Sequence, residues 1–272
     1  MSRLARTLML SAFALSVLLP LLWILMSSVK PGDMILNNPW GIPTELKLSN
    51  YASAWGEAGI GRTFLNSAFV TIATLAILLP LAAMAAFVLA WYPFRGSKLI
   101  FGTFMGGMAF PHFLVIVPLF FLVKDLGLYN QLHGLVIVYV AYSLSFSVFV
   151  LHGFFLAIPK ELGEAAEIDG CSHSKVFWKV VLPLIKPGLI VTAIFNAIGL
   201  WNEYGLALVL ITDDSKKTLP VGLANLIVNK NYQADWGALF AGLVIVIAPL
   251  LVIYLIFRDK VHETMLAGSI KG

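Results

Sequence analysis

Residues 64–91 read FLNSAFVTIATLAILLPLAAMAAFVLAW, an unbroken run from Phe64 to Trp91 without one charged side chain. At 1.5 Å rise per residue a helix of this length exceeds the roughly 30 Å of hydrocarbon in a bilayer. Backbone amides in lipid have no water to bond, so such a run must satisfy them internally as a helix. Pro80 does not argue against this, because neighbouring helices can take up the carbonyl it frees.

Working outward, runs of the same kind recur. The first covers Leu8–Met26, the second is Phe64–Trp91, and the third is Leu99–Val123. The fourth covers Leu132–Ala157, the fifth Pro187–Ile211 and the sixth Trp236–Phe257. Pro20, Pro118 and Pro249 also fall inside runs. Composition agrees: 60% of the 272 residues are hydrophobic and 12% charged, against about 25% charged in soluble domains. The expected fold is all-α, a polytopic membrane bundle of about six transmembrane helices forming one domain over residues 1–272.

Arg3 and Arg6 precede the first apolar run and give it the look of a secretion signal. The run is long for a signal core, and Ser27-Ser28-Val29-Lys30 lacks a small-x-small cleavage pattern, so it reads as a retained first span. The net charge of +4 comes with no basic stripe, which removes nucleic acid as a partner. With both termini inside, eleven of the 18 Lys and Arg fall on inner segments, among them Arg95 and Lys98 on the short turn after the second run. Seven fall outside: Lys30, Lys47, Arg62, Lys124, Lys216, Lys217 and Lys230. That asymmetry places both termini in the cytoplasm. Cys171 is the single cysteine, so no internal disulfide framework and no cysteine-based zinc site exist, and the thiol reads as inert. Gly102 and Gly106 make a GxxxG, and Ala82, Ala83, Ala85 and Ala86 a small-residue face; both suit close helix approach.

The segment Ile158–Lys186, on the cytoplasmic side, is far longer than a hairpin between antiparallel helices requires. It reads PKELGEAAEIDG over 159–170, then CSHSKVFWKVVLP to Pro183. A short helix is expected from near Pro159, with Glu161 and Glu164 favoured by its positive end. Gly170 should close it in a left-handed turn. Ser172 can cap a second helix carrying Lys175 and Lys179, which Pro183 is expected to stop. Leu162, Ala165, Ala166 and Asp169 share one arc of the first helix, a shallow face suited to a groove on another protein.

Glu164-Ala165-Ala166, three residues, Gly170, nine residues, then Val180-x-Leu182-Pro183 resembles the EAA signature of ABC importer permeases. Val180 in place of isoleucine is the one departure. The resemblance implies a type I importer permease fold, and a coupling loop through which Glu164, Ala165, Ala166, Asp169, Gly170, Leu182 and Pro183 meet an ATPase. It also implies further partners: a second homologous permease, two ATPase subunits that carry ATP and magnesium, and an extracytoplasmic solute-binding protein. Such a chain is a multi-pass protein of a bacterial or archaeal plasma membrane.

Trp201-Asn202-Glu203-Tyr204, the 218–223 stretch TLPVGL and the ending AGSIKG resemble the smaller permease of maltose-type importers. So does the first run leading into Ser27-Ser28-Val29-Lys30-Pro31. A sugar or oligosaccharide is therefore the implied cargo; an ABC permease for a non-sugar solute is the alternative. Glu203 lies about 24 Å up the fifth run from Pro187 and is the one charge placed within a span. An ionisable residue there is a functional candidate. Lining the substrate path, pairing within the bundle and touching sugar all stay open for it and for Trp201, Asn202 and Tyr204. The resemblance also turns one of the outer loops, Thr212–Asp235 or Lys30–Arg62, toward the binding protein.

No Gly-x4-Gly-Lys-Ser/Thr occurs, so ATP hydrolysis must reside in another subunit. His112, His133, His152, His173 and His262 are scattered, without HExxH or GxSxG, and point to neither a metal site nor a catalytic residue. A membrane-embedded enzyme would need clustered acids or histidines at an interface. A secondary transporter would need paired intramembrane charges and broken helices in related halves.

Overall fold

The computed structural model of the chain describes residues 3–92, 94–229 and 235–269. Lys230, Lys271 and the closing Ile270–Gly272, used in the sequence reading, lie outside the described residues. Among the described residues the structure is helical with no strand.

The helices are α1 (Arg3–Ser28), α2 (Gly32–Asn37), α3 (Ser49–Trp55), α4 (Ile60–Trp91), α5 (Ser97–Ala109), α6 (Ile116–Asp125) and α7 (Leu132–Leu156). There follow α8 (Glu161–Ile168), α9 (His173–Lys175), α10 (Leu182–Leu184), α11 (Lys186–Trp201), α12 (Gly205–Leu210), α13 (Leu219–Asn229) and α14 (Trp236–Ser269). Among the described residues four helices, α1, α4, α7 and α14, are long and apolar enough to cross a membrane singly, and counting each of two bent helix pairs as one span gives up to six.

Two expected spans are not continuous. The third run breaks after α5, and α6 leaves at 90°. Pro111 is the cause: a residue before proline is pushed out of the α region, and Phe110 adopts φ −81°, ψ 123°. The fifth run is also interrupted. α11 ends at Trp201, and α12 starts only at Gly205. At sixteen residues α11 rises about 24 Å, short of the roughly 30 Å of hydrocarbon. Glu203 thus lies in a break between helices rather than inside one. The outer loop 212–235 carries the eleven-residue helix α13.

The chain divides into two compact units. The first comprises Met1–Leu65 and Lys217–Leu251. There the Trp23 ring packs on Trp40 and edge-on to Phe240, and its indole nitrogen donates to the Pro39 carbonyl. Lys30, counted among the outer charges, is fully buried, with its ammonium donating to the same carbonyl at 2.8 Å. Asn50 ties the start of this segment down by donating to the Ser28 and Lys30 carbonyls.

The second unit comprises Asn66–Lys216 and Val252–Gly272. Its core joins Ala82, Ala83, Ala86, Phe87 and Trp91 of α4 to Val148, Leu151 and Phe155 of α7. The alanine face read from the sequence is what lets these two helices approach. Gly102 and Gly106 of α5 behave differently, being exposed with no neighbour within 4 Å of an added Cβ. Their GxxxG does not mediate packing within the described chain.

Candidate functional site

The segment after α7 folds as the expected elbow, with corrections in detail. α8 is eight residues long and carries Glu161 and Glu164 in its first turn, beside the positive helix end. It closes in a Schellman turn: the Cys171 amide donates to the Ala166 carbonyl and the Gly170 amide to Glu167, both at 2.9 Å. That pattern needs a left-handed residue, and Gly170 supplies it at φ +83°. Ser172 stands at the N-cap of α9 without a side-chain capping bond.

Val176–Val181 then winds as a π-helix. The i→i+5 pitch brings Val176 and Val181, five apart, onto the same buried face; both are fully enclosed by the core. Pro183 does not stop this arm: Leu182–Leu184 continues directly from the π-helical stretch. The bend comes at Ile185, ψ 12°, where the chain turns by 74° into α11.

The arc Leu162, Ala165, Ala166 and Asp169 does not face outward as one surface. α8 seats on Gly163, which is buried, and Ala166 turns with it toward the α4–α7 core. Leu162 and Ala165 remain exposed, and Ile168, which the sequence reading passed over, is 86% exposed. Glu164, Asp169 and Gly170 are exposed as well, while Leu182 is partly buried against the core and Pro183 is exposed. The outer face of α8 is therefore Leu162, Ala165 and Ile168 between acids.

Helix α4 holds the elbow through its end. The indole of Trp91 lies under Gly163, and its nitrogen donates to the Phe155 carbonyl at 3.1 Å. The Trp91 carbonyl accepts from the Lys160 ammonium at 3.2 Å. The next residue, Tyr92, meets His173 of the second arm edge-on, with the hydroxyl 3.1 Å from Nδ1. Nδ1 also lies 2.8 Å from a Glu167 oxygen. A single Nδ1–H donating mainly to Glu167 and secondarily to the phenol oxygen satisfies both distances. Burial pushes the Tyr92 hydroxyl up from its ordinary pKa, and the Glu167 carboxylate adds to the shift.

The second cluster divides. Trp201 is buried, Asn202 is exposed and donates to the Ile198 carbonyl, and Tyr204 is 41% exposed. Glu203 accepts three hydrogen bonds: from the Leu206 amide at 2.7 Å, the Ala207 amide at 3.0 Å and the Tyr139 hydroxyl at 2.5 Å. It caps α12, where the orphan amides and the positive helix end favour an anion. Pairing within the bundle is thus real for Glu203. The residue also lines a cavity of about 350 Å³, with Ser143, Ser145 and Asn196 and the rings of Tyr142, Phe146 and Phe195. Asn196 gives its amide hydrogens to Ser147 and the Thr192 carbonyl, so its own oxygen is the acceptor left for the cavity.

Sequence reasoning also missed a clip at the other end of the unit. Asn130 takes φ +57°, and its side-chain oxygen accepts from the Thr212 and Asp213 amides. Lys216 donates to the Asn130 carbonyl at 3.0 Å, and Asn66 to the Ser215 carbonyl at 3.0 Å. Only the left-handed backbone at Asn130, a conformation asparagine tolerates, was open to a sequence argument.

The family described as binding-protein-dependent transport system inner membrane component matches residues 78–265. The chain is 41% identical over 255 residues to the diacetylchitobiose uptake system permease protein NgcG of Streptomyces coelicolor, covering 94% of this chain and 84% of that one. It is 32% identical to the trehalose transport system permease protein SugB of Mycobacterium tuberculosis, covering 94% and 93%. Against the probable starch degradation products transport system permease protein AmyC of Thermoanaerobacterium thermosulfurigenes the identity is 31%, over 94% and 95%. A crystal structure of a bacterial ABC transporter that imports the acidic polysaccharide alginate contains a chain of the same fold. The TM-score is 0.85 at 24% identity, with 95% of this chain and 98% of that one covered.

Proposed function

This chain belongs to the family of binding-protein-dependent transport system inner membrane components, and from that premise we propose that it is the smaller permease of a carbohydrate ABC importer. Its partners are a second, homologous permease, two ATPases that bind ATP and magnesium, and an extracytoplasmic solute-binding protein. The chain itself binds no cofactor and hydrolyses nothing. It lies in a bacterial or archaeal plasma membrane as a single permease domain with both termini cytoplasmic.

The observation that carries this reading is α8. A helix of eight residues, seated by a glycine, presents Leu162, Ala165 and Ile168 outward between two membrane spans. Exposed apolar residues framed by acids suit a protein cleft, not lipid. Glu164, Ala165, Ala166, Asp169 and Gly170 form this elbow with Leu182 and Pro183, and the ATPase grips it from the cytoplasm. Closure of the ATPases on ATP pulls the elbow and opens the path outward; hydrolysis returns it inward.

The 350 Å³ cavity beside Glu203 is a station on the path. Its serine, asparagine and carboxylate groups match sugar hydroxyls, and its rings match the apolar faces of a pyranose. The relatives' names, which specify diacetylchitobiose, trehalose and starch products, support a saccharide over the alternative of a non-sugar solute. The outer segment 212–216, fixed by Asn130, leads to the face that meets the binding protein.

The test is reconstitution with candidate ATPases and binding proteins, followed by ATPase assays across a panel of sugars, amino acids and oligopeptides. Sugar-specific stimulation is expected. Stimulation by a non-sugar alone refutes the cargo, and an elbow cysteine that never crosslinks to an ATPase refutes the coupling.

A further inference from the structure

The geometry points to Trp91 and Tyr92, the last residue of α4 and the one after it, as positioning residues that join the elbow to the α4 span. This inference rests on the coupling role proposed for the elbow and names the residues through which that role is exercised. Three observations converge on it.

The first is fit. A Cβ added at Gly163 would lie 2.4 Å from Trp91 Cζ3 and 3.2 Å from Cη2, so the backbone of α8 rests directly on the six-membered ring. Only a residue without a side chain allows that approach. The second is fixation of the indole itself. Trp91 is 8% exposed, packs 5.3 Å from the Phe87 ring and donates to the Phe155 carbonyl at the end of α7. Its carbonyl meanwhile holds Lys160 at the start of α8. The ring therefore cannot swing aside when α8 presses on it. The third is division of labour. Trp91 holds the first arm, while Tyr92 meets His173 on the second arm, and Glu167–His173 closes the arms on each other. Consecutive residues at the end of one span thus grip both arms of the elbow.

A joint of this kind transmits displacement because packed interfaces have discrete arrangements rather than continuous give. An inward push on α8 is delivered through the ring to α4. If the seat is spoiled, the elbow can still be gripped by an ATPase, but the α4 span no longer follows.

The experiment uses the assembled transporter in nanodiscs and reads sugar transported per ATP hydrolysed. Gly163→Ala should lower that ratio at least tenfold while the ATPases still copurify, because the methyl collides with the indole. Trp91→Leu should lower it moderately. Gly163→Ala combined with Trp91→Leu should restore the ratio to within about threefold of the parent, since the ring edge that met the methyl is gone. Rescue of this sort is not expected of two residues that merely stabilise the fold. Lys160→Met supplies a reading that does not depend on Gly163→Ala assembling: it removes the bond to the Trp91 carbonyl and should lower the ratio severalfold with unchanged assembly. An unaltered ratio in Gly163→Ala, losses that multiply in the double variant, or an unaltered ratio in Lys160→Met would each overturn the joint. A parent complex without sugar-stimulated ATPase would instead strike at the importer reading.

Discussion

Replacing Glu203 by alanine leaves three donors without their acceptor: the Leu206 and Ala207 amides and the Tyr139 hydroxyl. Loss of a helix cap costs about 1 kcal/mol. Tyr139 is 1% exposed, and an orphaned buried hydroxyl adds about 1–3 kcal/mol. The expected destabilisation is therefore about 2–4 kcal/mol. At about 2–4 °C per kcal/mol for a chain of this size, the apparent midpoint should fall by about 4–16 °C. Thermal unfolding of the purified protein in nanodiscs measures it. Tyr139→Phe alone removes a bond to a charged acceptor and should cost about 1.5–3 kcal/mol. The informative variant carries both changes. Deleting the hydroxyl when its acceptor is already gone relieves an orphan, so Glu203→Ala with Tyr139→Phe should be more stable than Glu203→Ala alone. If the two losses simply add, Glu203 is not the partner that satisfies Tyr139, and its role as a cap across the break is wrong.

Other consequences follow from the same contacts. Gly134→Ala places a methyl 2.1 Å from the Leu128 carbonyl oxygen, which cannot move aside as a side chain could. A loss of at least about 2 kcal/mol is expected, seen as a lower midpoint and poor accumulation in the membrane. Asn130→Gly keeps the left-handed backbone but drops the acceptor for Thr212 and Asp213, whereas Asn130→Ala loses both. Protease nicking near 212–216 should therefore rise in both, and more in the alanine variant. Ile168→Asp alters a residue that is 86% exposed, so insertion and thermal midpoint should be unchanged while ATPase copurification falls at least tenfold. Gly170→Val forces a β-branched residue to φ +83°, at a cost of about 1–2 kcal/mol or more, and should abolish sugar-stimulated ATPase with normal insertion.

Much of the fold was legible in the sequence, and the reasons are local. Apolar runs determine spans because a lipid-exposed backbone has only one economical way to close its hydrogen bonds, and that rule applies residue by residue. The Schellman turn at Gly170 and the acidic start of α8 are also properties of a few neighbouring residues. The length of the segment between the fourth and fifth runs was read on the same grounds, whereas the meaning of its spacing came from its resemblance to the EAA signature.

What tertiary structure alone decided depends on partners distant in the chain. Periodicity grouped Ala166 with Leu162 and Ala165, but Trp91, far upstream, selects Gly163 as the seat and turns Ala166 inward. Ile168 faces outward for the same reason. Glu203 looked like an isolated charge in a continuous helix; Tyr139 and the freed amides of α12 make it a cap across a break. A linear sequence records which groups need partners. It does not record which of them the fold brings within 3 Å, and that proximity decides whether an acid in a span is a cap, a path wall or both.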